Sequence, residues 1–139
     1  MIKDTEIRKG NKLSFYKPLI HEPQQLTVKG YYYNEDDGLW YVQSDEYADI
    51  NTAGLMGIPL TPEWLDKFSF RQFANGAYHK DAMLTWRIWY DDFEKAANYC
   101  TDVYPELGHA VYLPIRIEFV HELQNIYFIM TGEELTIKT

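Results

Sequence analysis

The spacing of the apolar residues changes at Phe119, and this change limits the possible folds more than any other feature of the sequence. From Val111 to Ile117 every second residue is apolar, which is the period of a strand with one buried face. From Phe119 onwards apolar residues recur at intervals of three and four, which predicts a helix over residues 119–131. Gly132 stands where a helix commonly ends in a left-handed residue.

The second half of this helix, Ile126–Met130, is apolar on all sides. The helix is therefore expected in the interior of the domain. Three polar residues, His121, Gln124 and Asn125, lie away from the main apolar stripe. They are expected to hydrogen-bond to neighbouring strands or loops rather than to bind a ligand.

A second helix is predicted over residues 61–69. Thr61 is a good N-cap, and Pro62 occupies the first helical position, where its missing N–H has no effect. Trp64, Leu65 and Phe68 have the spacing of a buried face.

A β-hairpin is predicted between Leu26–Tyr33 and Leu39–Gln43, which are rich in β-branched and aromatic residues. Asp37 and Gly38 lie between them, and glycine adopts the positive φ that a tight turn requires. Leu13–Tyr16 is predicted as a further short strand.

Other segments give weaker patterns. Met83–Tyr90 alternates and is predicted as a strand, whereas Tyr47–Pro59 and Thr101–His109 are predicted as loops. The composition of Asp91–Cys100 is compatible with a helix, and Leu135–Ile137 is compatible with a last strand. In the strand before Phe119, Pro114 indicates a sheet edge or a bulge.

These elements predict an α+β fold, with a mostly antiparallel sheet packed against two helices, 61–69 and 119–131. The length of 139 residues fits a single domain over 1–139.

The net charge is −8, and no Lys or Arg occurs between Gly30 and Asp66. Such an acidic field disfavours nucleic acid and anionic membranes as partners. The acidic residues are either a solvated face or a surface that meets a basic partner. The candidate acids of such a surface are Glu35, Asp36, Asp45 and Asp49.

A cytoplasmic location is expected. The single cysteine, Cys100, allows no internal disulfide. The segment Met1–Asn11 is charged and lacks the apolar run of a signal peptide. No stretch of about 18 apolar residues is present to span a membrane.

No motif for catalysis, phosphate binding or metal binding is recognisable, so neither a cofactor nor a metal is predicted. The four histidines, none of them in a paired-ligand motif, are His21, His79, His109 and His121. Cys100 has no basic neighbour in sequence and is interpreted as a small buried hydrophobe.

The predicted hairpin carries the most distinctive side chains. Tyr31 and Tyr33 share one face, with Trp40 across the turn, and Tyr32 takes the other face. Exposed rings of this kind stack on sugars, on bases or on apolar side chains of a partner. The alternative is an aromatic ladder or a second layer of the core.

Three sequence segments in the same order resemble an uncharacterised family of small proteins of gut bacteria and their phages. They are Glu6–Asn11 (family pattern ELRIGN), Ile58–Leu65 (IPLTEEWL) and Val120–Leu135 (VHQLQNLYFALTGEEL). The chain departs from the pattern at Lys9 and Glu122. The resemblance implies a bacterial or bacteriophage background, and it brings no activity and no catalytic residue with it.

The leading hypothesis is a non-catalytic accessory or protein-interaction domain whose partner is a protein. Its expected surface is formed by Tyr31, Tyr33 and Trp40 together with Glu35, Asp36, Asp45 and Asp49. The alternatives are a small enzyme with a dispersed site and an acidic inhibitor of a nucleic-acid-binding protein. A homodimer through an exposed hairpin edge is a further hypothesis.

Overall fold

The computed structural model describes residues 2, 6–17, 22–73, 76–80, 86–104 and 109–138, with the backbone alone at 86–87, 99–104 and 109–114. Within this part of the chain lie eleven strands and two α-helices. The strands are β1 (Lys12–Tyr16), β2 (Pro23–Thr27), β3 (Gly30–Asn34), β4 (Leu39–Gln43), β5 (Ile50–Asn51), β6 (Leu55–Gly57), β7 (Phe70–Gln72), β8 (Tyr78–Lys80), β9 (Trp86–Asp91), β10 (Ala96–Tyr104) and β11 (His109–Ile117). The helices are α1 (Pro62–Lys67) and α2 (Val120–Thr131).

The strands form three sheets, and every pairing within them is antiparallel. The first sheet has the order β2-β1-β6, the hairpin sheet the order β3-β4-β5, and the five-stranded sheet the order β11-β10-β9-β8-β7. The predicted α+β class with antiparallel pairing is confirmed. The prediction of one sheet packed against two helices is wrong, because the strands divide among three sheets.

Contacts between Cα atoms divide the chain into two compact units. Unit 1 comprises Met1–Ile58 and Val120–Glu134, and unit 2 comprises Pro59–Phe119 and Leu135–Thr139. The single-domain organisation over 1–139 stays a prediction. Among the described residues, no helix is both long enough and apolar enough to cross a membrane.

The core of unit 1 is built mainly on the first sheet. Its buried residues are Ile2, Ile7, Leu13, Phe15, Leu26, Val28, Val42 and Leu55, with Tyr47 and Ile50 packed against them. The central strand β1 alternates only partly, because Ser14 between Leu13 and Phe15 is also buried. Val42 brings the hairpin sheet into the same core.

The predicted strand Leu26–Tyr33 is two strands in different sheets. After Val28 the chain separates from its neighbour β1; the N–H of Val28 still donates to the carbonyl of Asn11 at 2.9 Å. At Lys29 the N–H already donates to Gln43 of β4 at 2.8 Å. The buried Val28 side chain anchors this crossing, so a single segment rich in β-branched and aromatic residues conceals a change of sheet. The predicted loop Tyr47–Pro59 likewise contains β5 and β6, with a 3-10 helix at Thr52–Gly54 between them.

Helix α2 begins at Val120, one residue after the predicted start, and ends at Thr131 as predicted. It is not buried on all sides. Val120, Leu123 and Tyr127 are buried, whereas Phe128, Ile129 and Met130 are exposed, Ile129 to 77 %. The expectation of an interior helix is therefore wrong for its last turn. Gly132 ends the helix as predicted: its φ is 75°, and its N–H donates to Phe128 O at 2.8 Å.

The side-chain amides of Gln124 and Asn125 bind the loop that precedes β1. Gln124 Oε1 accepts from the N–H of Lys12 at 2.8 Å, and its Nε2 donates to Gly10 O at 2.9 Å. Asn125 Nδ2 donates to Glu6 O at 2.7 Å. The prediction that the polar residues of this helix bind neighbouring backbone is confirmed for Gln124 and Asn125, and each amide supplies partners that no strand provides.

Arg8 lies in the same network. Its Nε donates to Asn125 Oδ1 at 3.2 Å and its Nη2 to Gln124 O at 3.1 Å. Its Nη1 binds the carboxylate of Glu134, and its guanidinium lies 4.2 Å from the centre of the Phe128 ring. The first and last of the three family-like segments therefore interlock within unit 1.

Unit 2 contains α1 and the five-stranded sheet. The Thr61 hydroxyl accepts from the N–H of Trp64 at 3.4 Å, and Pro62 begins the helix. The helix ends at Lys67, two residues before the end of the predicted range 61–69. Trp64, Leu65 and Phe68 are buried as predicted. The short strands β7 and β8 follow, and no sequence pattern predicted them.

The region after β9 differs from its prediction. Asp91–Cys100 is not helical: a turn at 92–95 is followed by β10. Lys95 has φ 56°, so a non-glycine residue takes the left-handed position of the turn and conceals the hairpin signal. The predicted loop Thr101–His109 is shortened, because β10 continues to Tyr104 and β11 begins at His109.

Strand β11 is confirmed, and it lies at an edge of the five-stranded sheet. Its register with β10 shifts between Asn98 and Cys100, opposite the segment that contains Pro114, so both expectations for Pro114 are met. The proposed last strand Leu135–Ile137 is wrong, since no strand is formed at 134–138. Of Met83–Tyr90, residues 83–85 lie outside the described residues, and the remainder is β9.

We expect Gln124→Ala to lower the free energy of unfolding by about 1–3 kcal/mol, because the half-buried N–H of Lys12 and C=O of Gly10 both lose their partner. Urea denaturation of the variant and the wild-type protein measures this. The matched control is Gln25→Ala, at an exposed position of β2, with an expected change within about 0.5 kcal/mol. Equal losses in the two variants would contradict the role of the Gln124 amide.

His121 makes the stability of the protein depend on pH. Burial lowers the pKa of His121 below its ordinary value of 6.5, and the Glu6 carboxylate opposes this only in part. As the pH falls below 6.5 the unfolded chain takes up the proton first, so stability is lost until the folded pKa is passed. We expect the fall in unfolding free energy between about pH 7.5 and 5.5 to be smaller in His121→Gln than in wild type. An unchanged fall in the variant would show that other groups cause it.

Candidate functional site

The β3–β4 hairpin forms because its turn satisfies its own backbone groups. Gly38, at φ 72°, donates its N–H to Asn34 O at 2.8 Å. The side chain of Asn34 accepts from the N–H of Asp36 at 2.9 Å, and that of Asp37 accepts from the N–H of Leu39 at 3.0 Å. The predicted hairpin and the positive φ of Gly38 are confirmed, and the four-residue turn fixes the register of the two strands.

The register decides which side chains share a face. Tyr33 lies opposite Trp40 and Tyr31 lies opposite Val42, whereas Tyr32 lies opposite Tyr41. Directly opposed residues point to the same side of an antiparallel pair. The consecutive tyrosines are therefore divided between two surfaces, as the sequence predicts.

We call Tyr31, Tyr33 and Trp40 the aromatic face. The ring centres of Tyr31 and Trp40 are 5.8 Å apart, and those of Tyr33 and Trp40 are 5.5 Å apart, with the planes tilted by 50° and 57°. Tyr31 and Tyr33 are 49 % and 50 % exposed. The rings thus support one another and still present half of each tyrosine to solvent.

Val42 anchors the aromatic face to the core of unit 1. It lies opposite Tyr31 on β4 and is buried, and Ile50 of β5 pairs with it on the other side. One end of the face is therefore fixed by packing, whereas Tyr33 and Trp40 project beyond it. Because Tyr31 and Tyr33 are half exposed and contact Trp40 across the strands, the face is an exposed aromatic ladder rather than a second layer of the core.

The opposite face of the hairpin joins phenols to carboxylates. The rings of Tyr32 and Tyr41 stack at 5.7 Å with 16° between their planes. The Tyr32 hydroxyl donates to Asp49 at 2.8 Å, and the Tyr41 hydroxyl donates to Asp37. These hydrogen bonds raise the pKa of Tyr32 and of Tyr41 above the ordinary 10.0, because they stabilise the protonated phenol.

The predicted acidic residues are only partly brought together. Glu35 and Asp36 are exposed in the hairpin turn, at the end of the aromatic face. Asp45 lies after β4 and pairs with Lys29 at 3.1 Å, where both side chains are largely exposed. Asp49 faces Tyr32 on the opposite side of the hairpin, so it does not border the aromatic face.

Sequence reasoning missed the contribution of Asp37. It was assigned to the turn, yet its carboxylate accepts from both Leu39 N–H and the Tyr41 hydroxyl. The available signal was its position four residues before Tyr41. Because Asp37 caps the turn, its charge holds the hairpin together and is not free for a partner.

Strand β3 is an edge strand, since the hairpin sheet of the described residues has the order β3-β4-β5. Its outer backbone groups lie beside the aromatic face. In the part of the chain that the structure describes, no three His, Cys, Asp or Glu residues are grouped so as to hold a metal ion. The half-exposed rings, the outer backbone groups of β3 and the carboxylates of the turn offer ring contact, backbone pairing and negative charge at this site.

No protein-family model, curated protein or solved structure matches the chain.

We expect Asp49→Asn to lower the pKa of Tyr32 towards 10.0, because the hydrogen bond to the carboxylate is the largest cause of its upward displacement. NMR titration of the tyrosine ring signals measures it. The control is Asp36→Asn, which removes one charge from an exposed position in the turn. This variant should leave the pKa of Tyr32 unchanged. Equal decreases in both variants would attribute the effect to distant charge rather than to the hydrogen bond.

Proposed function

We propose that this chain is a non-catalytic, cytoplasmic protein-interaction domain that binds a partner protein through the aromatic face. The single observation that supports this is the pair of half-exposed tyrosines held against Trp40 on an anchored hairpin. Tyrosine and tryptophan are the residues that most often dominate binding energy in protein interfaces. Their rings bury a large apolar area, and they lose little side-chain freedom on binding.

Rigidity supports the proposal. A binding surface that is ordered before it meets its partner avoids the entropy of ordering side chains on association. Here Val42, on the same side of the hairpin as Tyr31, is buried in the core of unit 1, and the turn is closed by Asn34 and Asp37. The tilted contacts between the rings further restrict their rotamers.

The charge around the face indicates the chemistry of the partner. Glu35 and Asp36 lie at the turn end of the face, and residues 30–66 contain no Lys or Arg. Complementary charge steers association and excludes like-charged partners. The partner segment therefore has aliphatic or aromatic side chains for the rings, and Lys or Arg residues next to them for the turn.

The sequence resemblance indicates the origin of the proposed partner. The family-like segments imply a bacterial or bacteriophage accessory protein, whose partner is then a protein of the host cell or of the phage. The exposed edge of β3 also admits a second copy of the chain by strand pairing. A homodimer is therefore one arrangement that the binding experiment has to separate from a different partner.

Selection of a random peptide library on the immobilised chain tests the proposal. We expect the selected peptides to combine apolar residues with Lys or Arg, and their affinity to fall as salt is added. The variant Tyr31→Thr/Tyr33→Thr should bind them about tenfold or more weakly, while threonine preserves the strand preference of β3.

The matched control is Phe93→Thr, because Phe93 is 93 % exposed and lies in unit 2. Its binding should equal that of the wild-type protein. Peptides that bind the tyrosine variant and the wild-type chain equally would contradict the proposal. Light scattering of the free chain identifies self-association, and a dimer that is lost in the tyrosine variant would assign the face to a second copy.

A further inference from the structure

Unit 2 contains a cavity of about 400 Å³ beside the two strands that sequence patterns did not predict. The described residues that line it are Ser69, Arg71, Phe73 and His79. Its volume falls within the range of small-ligand sites, about 300–1,000 Å³. All four residues belong to the segment around β7 and β8, at an edge of the five-stranded sheet.

The strand register explains why these side chains converge. Arg71 of β7 lies directly opposite His79 of β8, so both point to the same side of the pair. Phe70, one residue before Arg71, is buried, which directs Arg71 to the other face. The register of β8 with β9 further places the backbone of Arg87 opposite His79.

Arg71 is an exposed guanidinium without a protein partner in the described part of the chain. The contrast with the other described arginine side chains is clear. Arg8 binds the carboxylate of Glu134, and Arg116 binds those of Glu94 and Glu118, both at 2.8 Å. In a chain with a net charge of −8, an arginine without a carboxylate at a cavity is free to bind an external anion.

Ser69 occupies a position that favours glycine. It follows the last residues of α1 with φ 69°, the left-handed conformation that glycine usually supplies after a helix. A non-glycine residue there is strained, and strain of this kind is concentrated at functional sites. The Ser69 hydroxyl has no hydrogen bond to the described residues, so it is available as a donor in the cavity.

Phe73 provides a flat apolar wall. One face of its ring stacks on the buried imidazole of His79, with centres 4.3 Å apart and 22° between the planes. The ring is nevertheless 42 % exposed, so part of its surface is accessible to a ligand. A planar group of a ligand can stack there while its charged end reaches Arg71.

We propose that this cavity binds a small organic oxyanion, a phosphate monoester or a carboxylate, carried on a planar ring. The Arg71 guanidinium binds the oxyanion through two parallel hydrogen bonds, the Ser69 hydroxyl donates a third, and the ring of the ligand packs on Phe73. This inference does not rest on the proposed protein-binding function, because its residues lie in unit 2 and the aromatic face lies in unit 1.

Calorimetric titration of the whole chain with phenyl phosphate and with benzoate tests the inference. We expect at least one of them to bind at millimolar concentrations or below, and Arg71→Gln to weaken that binding about tenfold or more. The control Lys29→Gln removes the same charge in unit 1 and should leave the affinity unchanged. No binding of either probe, or equal binding to Arg71→Gln, would overturn the proposal; the tighter probe distinguishes phosphate from carboxylate.

Two further variants test the remaining groups. Ser69→Gly should raise the melting temperature, because it relieves the left-handed strain, and at the same time weaken the binding of the probe. An affinity that does not change would remove Ser69 from the site. Inorganic phosphate should bind more weakly than phenyl phosphate, and this difference should disappear in Phe73→Ala. A persistent difference would overturn the stacking role of Phe73.

Discussion

The hydrogen bonds between the α2 amides and the loop before β1 are the interaction on which unit 1 depends. Gln124 and Asn125 satisfy backbone groups of residues 6–12, and Arg8 adds hydrogen bonds to the Gln124 carbonyl and the Asn125 side chain. A buried N–H or C=O without a partner destabilises a fold by about 1–3 kcal/mol. The two amides therefore hold the helix in one register on β1, where apolar packing alone would tolerate sliding.

The division of Tyr31, Tyr32 and Tyr33 shows how one short string builds two different surfaces. Alternation sends the outer two rings to Trp40, where they remain half exposed. It sends Tyr32 to the side where phenols bind carboxylates. The second side stabilises the hairpin, and the first is the surface of the proposed interaction. In this proposal, binding and stability are separated by the pleat of one strand rather than by distance along the chain.

Local signals in the sequence were sufficient wherever one residue decides the backbone. Thr61 and Pro62 mark the start of α1, Gly38 marks the hairpin turn, and Gly132 marks the end of α2. Prediction failed where a residue adopts a backbone conformation that its residue type disfavours. Lys95 takes a left-handed φ without being glycine, so the turn before β10 had no signature.

Long-range pairing was the other source of error. Nothing near Val28 in the sequence reveals that its partner is Asn11 rather than a strand neighbour. Likewise, Arg71 and His79 meet because β7 and β8 pair, so the cavity beside them has no motif. The aromatic face was predictable because a hairpin is local, and the cavity was not because its register is known only from the fold.

The chain leaves unit 1 after Ile58 and re-enters it at Val120, and these two residues are joined by a hydrogen bond of 2.8 Å. The two ends of the intervening segment, residues 59–119, therefore lie next to each other. Closing such a loop becomes only slowly more costly with length, by about 0.6 kcal/mol for each doubling. The stability of unit 1 therefore depends little on the length of the intervening stretch. In evolution that stretch can be lengthened, shortened or replaced while α2 still packs on β1.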